Sequence, residues 1–221
     1  MKMYPSFNEV FLTDELLGVF YPLCSGEHGL HYVSSNGLWM DEQYETEHNT
    51  FRYVMFDIKN GKYDFRGDIR LYQGHEYAKK VFPILEEDFN GNGNDYLAGK
   101  IKPALYIEKI TKILPPQTTE NFDLGYFLST FYEFSINKLN YNLNGKFGEF
   151  NYLIKGSAKP DSSPVIYNEK EDGGHLMDGH LIKGYCHLGA VIGYEFFTDG
   201  NDTVLFYNEK ENKVLSANHY S

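Results

Sequence analysis

Five side chains that could ligate a transition metal lie close together in the C-terminal third of the chain. They are His175, Asp178, His180, Cys186 and His187. Imidazole, thiolate and carboxylate groups are the usual ligands of zinc and related metals, which bind three or four of them from converging segments. The segment lacks zinc-finger and HExxH spacings, so a site at His175, Asp178, His180 and His187 would need converging loops. Solvated histidines in a glycine-rich loop are the simpler interpretation.

A second motif is similar to the first half of a calcium-binding loop. In the segment 88–94, oxygen-bearing side chains occupy positions 1, 3, 5 and 7, and Gly93 occupies position 6. Position 12 is Gly99, where such a loop needs a bidentate glutamate. The sequence therefore favours a connection between helices, in which Asn and Gly supply the positive φ angles.

Nucleophilic catalysis has weaker support from the sequence. Cys24 and His28 lie four residues apart, a spacing with little specificity, because catalytic pairs are defined by proximity in space. The chain contains no GxSxG elbow, no P-loop and no GxGxxG motif. We therefore lean against an enzyme and predict no cofactor. The alternative that stays open is a hydrolase that uses the His-rich C-terminal loop, with or without a metal.

The charge of the chain indicates which partners it can bind. The formal net charge is −11, and residues 1–60 hold nine acidic and three basic residues, a difference of −6. Such a field repels nucleic-acid phosphates and anionic lipids and attracts a basic protein. We predict no nucleic-acid and no membrane partner. Ordinary solubility is the alternative explanation of the same charge.

An acidic segment near the N-terminal quarter is the best candidate for an interface. Its predicted contact residues are Asp41, Glu42, Tyr44, Glu45 and Glu47. Carboxylates can mimic phosphate and steer a cationic surface into place, and exposed aromatic residues can anchor it. The sequence thus favours an acidic cytosolic protein-binding module, such as an immunity or inhibitor protein that neutralises a basic partner. A carbohydrate binder with an aromatic β surface is a third hypothesis.

The elements that would position these residues follow from turn signals and periodicity. Asn-Gly pairs at 36–37, 60–61 and 144–145, and Asp-Gly at 199–200, predict hairpin turns. Strands are predicted near 30–34, 38–41, 51–58, 62–71, 147–154, 163–167, 190–197, 203–207 and 213–218. Helices are predicted for a short segment after Thr13, for 75–87 with a kink at Pro83, for 103–113 and for 121–140. This order predicts an α+β fold, a mostly antiparallel sheet built from β-hairpins with a central group of helices.

The length fits one domain. We predict a single α+β domain over residues 1–221, with a weak boundary near the exposed loop 155–164. No run of about 18 apolar residues occurs, so no membrane-spanning helix is predicted. The absence of a signal-peptide pattern and the presence of two cysteines favour a cytoplasmic location with reduced thiols. The oligomeric state stays open.

Overall fold

Two antiparallel sheets and a group of helices form the architecture, which confirms the α+β prediction. The structure is a computed structural model that describes residues 2–26, 29–117, 121–145, 154–155, 184–198 and 200–219. The first sheet has the order β1–β2–β3, with strands Lys2–Met3, Phe20–Ser25 and His31–Ser35. The second has the order β5–β4–β9–β8–β7–β6, with β4 to β9 at Tyr53–Lys59, Lys62–Phe65, Ile154–Lys155, Cys186–Val191, Asp202–Asn208 and Lys213–His219. The α helices α1 to α4 span Phe7–Val10, His75–Leu97, Pro103–Thr111 and Leu124–Asn144.

The hairpin between β4 and β5 forms as predicted. Asn60 and Gly61 have φ angles of +53° and +75°, as a type I′ turn requires. Lys59 pairs with Lys62 across the turn, and Phe56 pairs with Phe65 further along. Only the first part of the predicted strand 62–71 is extended, because a 3₁₀ turn follows at Ile69–Leu71.

Two other Asn-Gly pairs have different roles from those predicted. Gly145, at φ +68°, ends α4 as its C-cap and does not form a hairpin turn at that position. Gly37, at φ +87°, lies where a Cβ would come within 2.9 Å of Thr130 on α4. The predicted strand 38–41 reduces to one bridge, between Met40 and Tyr72.

The segment after Thr13 is not the predicted helix. Residues 15–19 form a turn, and the chain continues as the strand Phe20–Ser25. Pro22 is tolerated there because the pairing of β2 with β3 is irregular between Pro22 and Cys24. The strand is buried over its first five residues, so packing outweighs the local helix signal.

Helix α2 is longer than predicted. It contains Pro83, does not end near 87, and runs through the segment 88–94 to Leu97. Both the calcium-loop motif and the predicted inter-helix loop are therefore wrong for this segment. Phe89, Gly93 and Tyr96 are buried along the same helix, so tertiary contacts stabilise residues with low helix propensity.

Helices α3 and α4 agree with their predictions. Pro103 is in the first turn of α3. One face of α4 packs into the core: Phe127, Leu128, Phe131 and Phe134 are buried. None of the helices in the described ranges is long and apolar enough to cross a membrane.

In the C-terminal part, two of the predicted strands are confirmed. They are β8 and β9, which pair along their full length. The predicted strand 190–197 is wrong, because β7 ends at Val191 and a 3₁₀ turn follows at Gly193–Glu195. Most of the predicted strand 147–154, all of 163–167 and nearly all of the suggested boundary 155–164 lie outside the described residues.

Candidate functional site

The predicted acidic interface lies on a segment with defined local geometry. Met40 bridges to Tyr72, and the chain then turns through the 3₁₀ helix Glu42–Tyr44. Asp41 caps this turn, since its carboxylate accepts hydrogen bonds from the backbone N–H and the side-chain amide of Gln43. The first acidic residues are therefore held by a cap and are not in a featureless loop.

Asn49 fastens the next turn to the body of the protein. Its side chain is fully buried, donates to the carbonyl of Asp68 at 2.9 Å and accepts from the N–H of Asp68 at 3.0 Å. Thr46 donates to the Asn49 amide oxygen at 2.6 Å. Glu45 closes the segment by accepting the backbone N–H of Phe51 at 2.7 Å. These bonds connect the acidic segment to the body of the protein.

The exposure of the predicted residues is uneven. Glu42, Glu45 and Glu47 are exposed, whereas Asp41 and Tyr44 are half-buried. Tyr44 packs against Arg70, whose guanidinium carbon lies 4.6 Å from the ring centroid. Tyr44 is therefore engaged within the protein, and the prediction that it is a contact residue is weaker than that for the glutamates.

The negative charge of this segment has few local counter-charges. In the part of the chain that the structure describes, no lysine or arginine forms an ion pair with Asp41, Glu42, Glu45 or Glu47. His48 Nε2 lies 3.6 Å from a Glu47 oxygen, and Glu47 is one of the negative charges that raise the pKa of Lys213. The three exposed glutamates, Glu42, Glu45 and Glu47, thus present their charge to solvent.

Two exposed apolar residues, which the sequence did not indicate, flank the acidic segment. Trp39 is 57 % exposed and Phe51 is 43 % exposed, at the two ends of the segment 39–51. The Trp39 ring lies 5.2 Å from the ring of Tyr126, which supports it from one side. Trp39 is only two residues from Asp41, which could have indicated that it belongs to the same surface. Large aromatic residues are normally buried, however, and the exposure of Trp39 depends on tertiary packing.

Most of the predicted metal-binding cluster cannot be placed. His175, Asp178 and His180 lie outside the described residues. His187 is half-buried on β7, and burial lowers the pKa of its imidazole. Among the described residues, no group of three or more His, Cys, Asp or Glu side chains could hold a metal ion.

The geometry around Cys24 argues against a thiol nucleophile. Cys24 is buried in β2, and burial raises the pKa of its thiol to about 12. The thiolate is therefore scarce at neutral pH. The proposed sequence neighbour, His28, lies outside the described residues.

A serine–histidine contact that sequence analysis missed lies at the end of the β2–β3 pair. Ser25 Oγ and His31 Nδ1 are 2.9 Å apart, on directly paired residues. Tyr63 clamps the backbone of His31, donating to its carbonyl and accepting from its N–H at 2.7 Å each. The arrangement links β3 to β5, which is a structural role.

Comparisons with known proteins identify no relative. No family model, curated protein sequence or solved structure matches this chain.

Proposed function

We propose that the protein is a binding module that uses the acidic segment 39–51 to dock a basic protein partner. The observation that carries the proposal is a set of four carboxylates, three on the exposed residues Glu42, Glu45 and Glu47 and one on the half-buried Asp41. None of them forms an ion pair with lysine or arginine within 4.0 Å among the described residues. A cationic partner would supply the missing counter-charges. An immunity or inhibitor role, in a cytoplasmic setting, is the specific form that we favour.

The flanking aromatic residues support a protein partner over a small cation. Interfaces bury aromatic anchors surrounded by polar residues, and Trp and Tyr are enriched among the residues that dominate binding energy. Trp39 and Phe51 offer such anchors beside the carboxylates. The carboxylates would govern the association rate, while the aromatic rings would govern the lifetime of the complex.

The test compares two variants that remove the same charge from different places. The local variant carries Asp41→Asn, Glu42→Gln, Glu45→Gln and Glu47→Gln. Amides keep the acceptor oxygens that cap the turn at Asp41 and hold the N–H of Phe51. The control variant neutralises four exposed glutamates elsewhere, at Glu15, Glu76, Glu87 and Glu209. Each removes four negative charges from a net charge of −11.

Affinity capture from the native host lysate at low salt, read by quantitative mass spectrometry, identifies the partner. We expect one basic protein to be retained in stoichiometric amount by the wild type and the control variant and to be lost from the local variant.

With that protein purified, the local variant should lower the association rate constant by about 10-fold or more, since electrostatic steering contributes factors of about 10–10³. Added salt should reduce this difference. Equal retention by the two variants, or capture of no basic protein by the wild type, would refute the proposal.

A further inference from the structure

A groove between helices α2 and α4 is separate from the acidic segment and has the features of a small-molecule site. Its volume is about 240 Å³, just below the range of about 300–1,000 Å³ that is typical of drug-sized ligand pockets. Phe82 and Phe89 on α2 and Phe131 and Phe134 on α4 line it, and all four residues are buried. The groove therefore has aromatic walls and room for a small ligand.

Gly93 sets the spacing of the two helices at one end of the groove. A Cβ at this position would lie 3.1 Å from Leu139 Cδ2 on α4 and 3.1 Å from the ring of Phe89. At the other end, the rings of Phe82 and Phe131 meet edge to face with centroids 5.3 Å apart. Helices α2 and α4 thus pack directly on each other beside the groove.

Opposite charges lie on the two sides of the cleft. Glu86 belongs to α2 and Lys138 to α4, and both line the groove. Neither forms an ion pair within 4.0 Å in the part of the chain that the structure describes. The surrounding protein atoms raise the pKa of Glu86 by desolvation, and the positive charge of Lys138 offsets part of that effect. Glu86 is an exposed residue, so its carboxylate stays accessible to a ligand, and Lys138 is the positive charge that interacts with it.

The charge pattern selects among ligands. A purely apolar ligand would desolvate both charges without replacing their hydration, which is unfavourable. A simple cation or anion would be attracted by one of the two charged side chains and repelled by the other. A zwitterion with an apolar substituent would pair with both charges and place its substituent on the phenylalanine rings. The amides of Asn90, Asn94 and Asn142, which also line the groove, can complete its hydrogen bonds.

We propose that this groove binds a free α-amino acid with an aromatic or large aliphatic side chain. Glu86 receives the α-ammonium group, Lys138 receives the α-carboxylate, and the side chain packs on Phe82, Phe89, Phe131 and Phe134. This site is independent of the acidic segment, so either proposal can fail alone.

Isothermal titration calorimetry on the full chain tests the proposal with defined probes. We expect saturable one-to-one binding of L-phenylalanine and L-leucine, and no detectable binding of glycine, which lacks the apolar substituent. N-acetyl-L-phenylalanine lacks the ammonium charge and L-phenylalanine amide lacks the carboxylate, and each should bind at least about 10-fold more weakly, a loss of about 1.4 kcal/mol.

Paired variants assign each charge to its group. Glu86→Gln and Lys138→Gln should each weaken L-phenylalanine binding about 10-fold or more, while Glu87→Gln and Lys80→Gln, at exposed positions on α2 outside the groove, should change it less than about 2-fold. In the Glu86→Gln protein, N-acetylation of the ligand should cost little more, because the ammonium partner is already gone. No binding of either amino acid at about 10 mM, or equal effects of the groove and control variants, would overturn the proposal.

Discussion

Glu195 is an acidic side chain in the 3₁₀ turn Gly193–Glu195, and the residue is only 8 % exposed. Its Oε1 atom has no hydrogen-bond partner among the described residues. Burial raises the pKa of this carboxyl group above its ordinary value. The folded state therefore holds the proton more tightly than the unfolded state. The stability that this provides is present below the ordinary pKa of about 4.3 and is lost as the pH rises through the folded pKa.

Replacing this carboxyl group by an amide should remove the pH-dependent loss. We expect the stability of Glu195→Gln, relative to wild type, to be greater at pH 7 than at pH 4. At pH 7 the buried carboxyl group of the wild type must either ionise or keep a proton that the unfolded state has released, whereas the amide does not titrate. Urea unfolding at the two pH values measures the difference, and Glu209→Gln, at an exposed position, serves as the control. A wild-type-to-variant difference that is the same at both pH values would contradict the assignment.

The sequence predicts the exposure of some residues of the candidate interface better than that of others. Charged side chains are rarely buried, so the exposure of Glu42, Glu45 and Glu47 followed from residue type alone. The expectation that large aromatic residues are buried fails for Trp39, which is 57 % exposed although its ring packs on Tyr126, a residue 87 positions away in sequence. The engagement of Tyr44 by Arg70 likewise depends on a tertiary contact.

At the scale of elements, a buried charge joins helices α2 and α3. Asp88 on α2 has a side chain that is 9 % exposed, and it accepts a hydrogen bond from Lys109 on α3 at 2.7 Å. The hydroxyl of Tyr96 also donates to Asp88 and accepts from Lys109 at 2.8 Å. The position of α3 on α2 thus depends on a closed polar network.

Removing the cation should leave the Asp88 carboxylate uncompensated. We expect Lys109→Met, which keeps most of the aliphatic chain, to destabilise the protein by about 1–3 kcal/mol. This loss is smaller than that from breaking a fully buried ion pair, because Lys109 is partly exposed. The control Lys112→Met removes the exposed pair with Glu108, which should cost at most about 0.5 kcal/mol. Denaturant unfolding measures both. In a double-mutant cycle, Asp88→Asn should recover much of the loss, and additive costs would disprove the coupling.

The elements that sequence analysis predicted correctly are those with local causes. The Asn60–Gly61 turn needs only the positive φ preference of its two residues, and α3 begins at a proline that favours a first turn. The part of α2 beyond 87 was not predicted because it is stabilised by α4, which is distant in sequence. Strand β2 was not predicted because its pairing with β1 and β3 outweighs the local helix signal. Gly93 packs against Leu139 of α4, and β2 pairs with β1 and β3.

At the scale of the molecule, one aromatic junction joins the two sheets and the helices. The ring of Phe197, next to the six-stranded sheet, lies 5.4 Å from Tyr21 of β2 and 5.6 Å from Phe134 of α4. Ser216 of β9 adds a polar link, donating to the carbonyl of Val33 on β3 at 2.8 Å. A continuous buried cluster includes residues from Tyr4 to Val214. Separate unfolding of either sheet would expose this shared core.

This shared core makes the single-domain prediction testable. We expect thermal unfolding to be one cooperative transition, with equal calorimetric and van't Hoff enthalpies and coincident near- and far-ultraviolet circular dichroism curves. Phe197→Leu should destabilise the protein by about 1–2 kcal/mol and shift both curves together. Its ring contacts Tyr21 of the three-stranded sheet and Phe134 of α4, and the residue lies in the connection between β7 and β8 of the six-stranded sheet. Two transitions, or a Phe197→Leu shift confined to one of them, would show that the sheets unfold independently and that residues 1–221 form more than one domain.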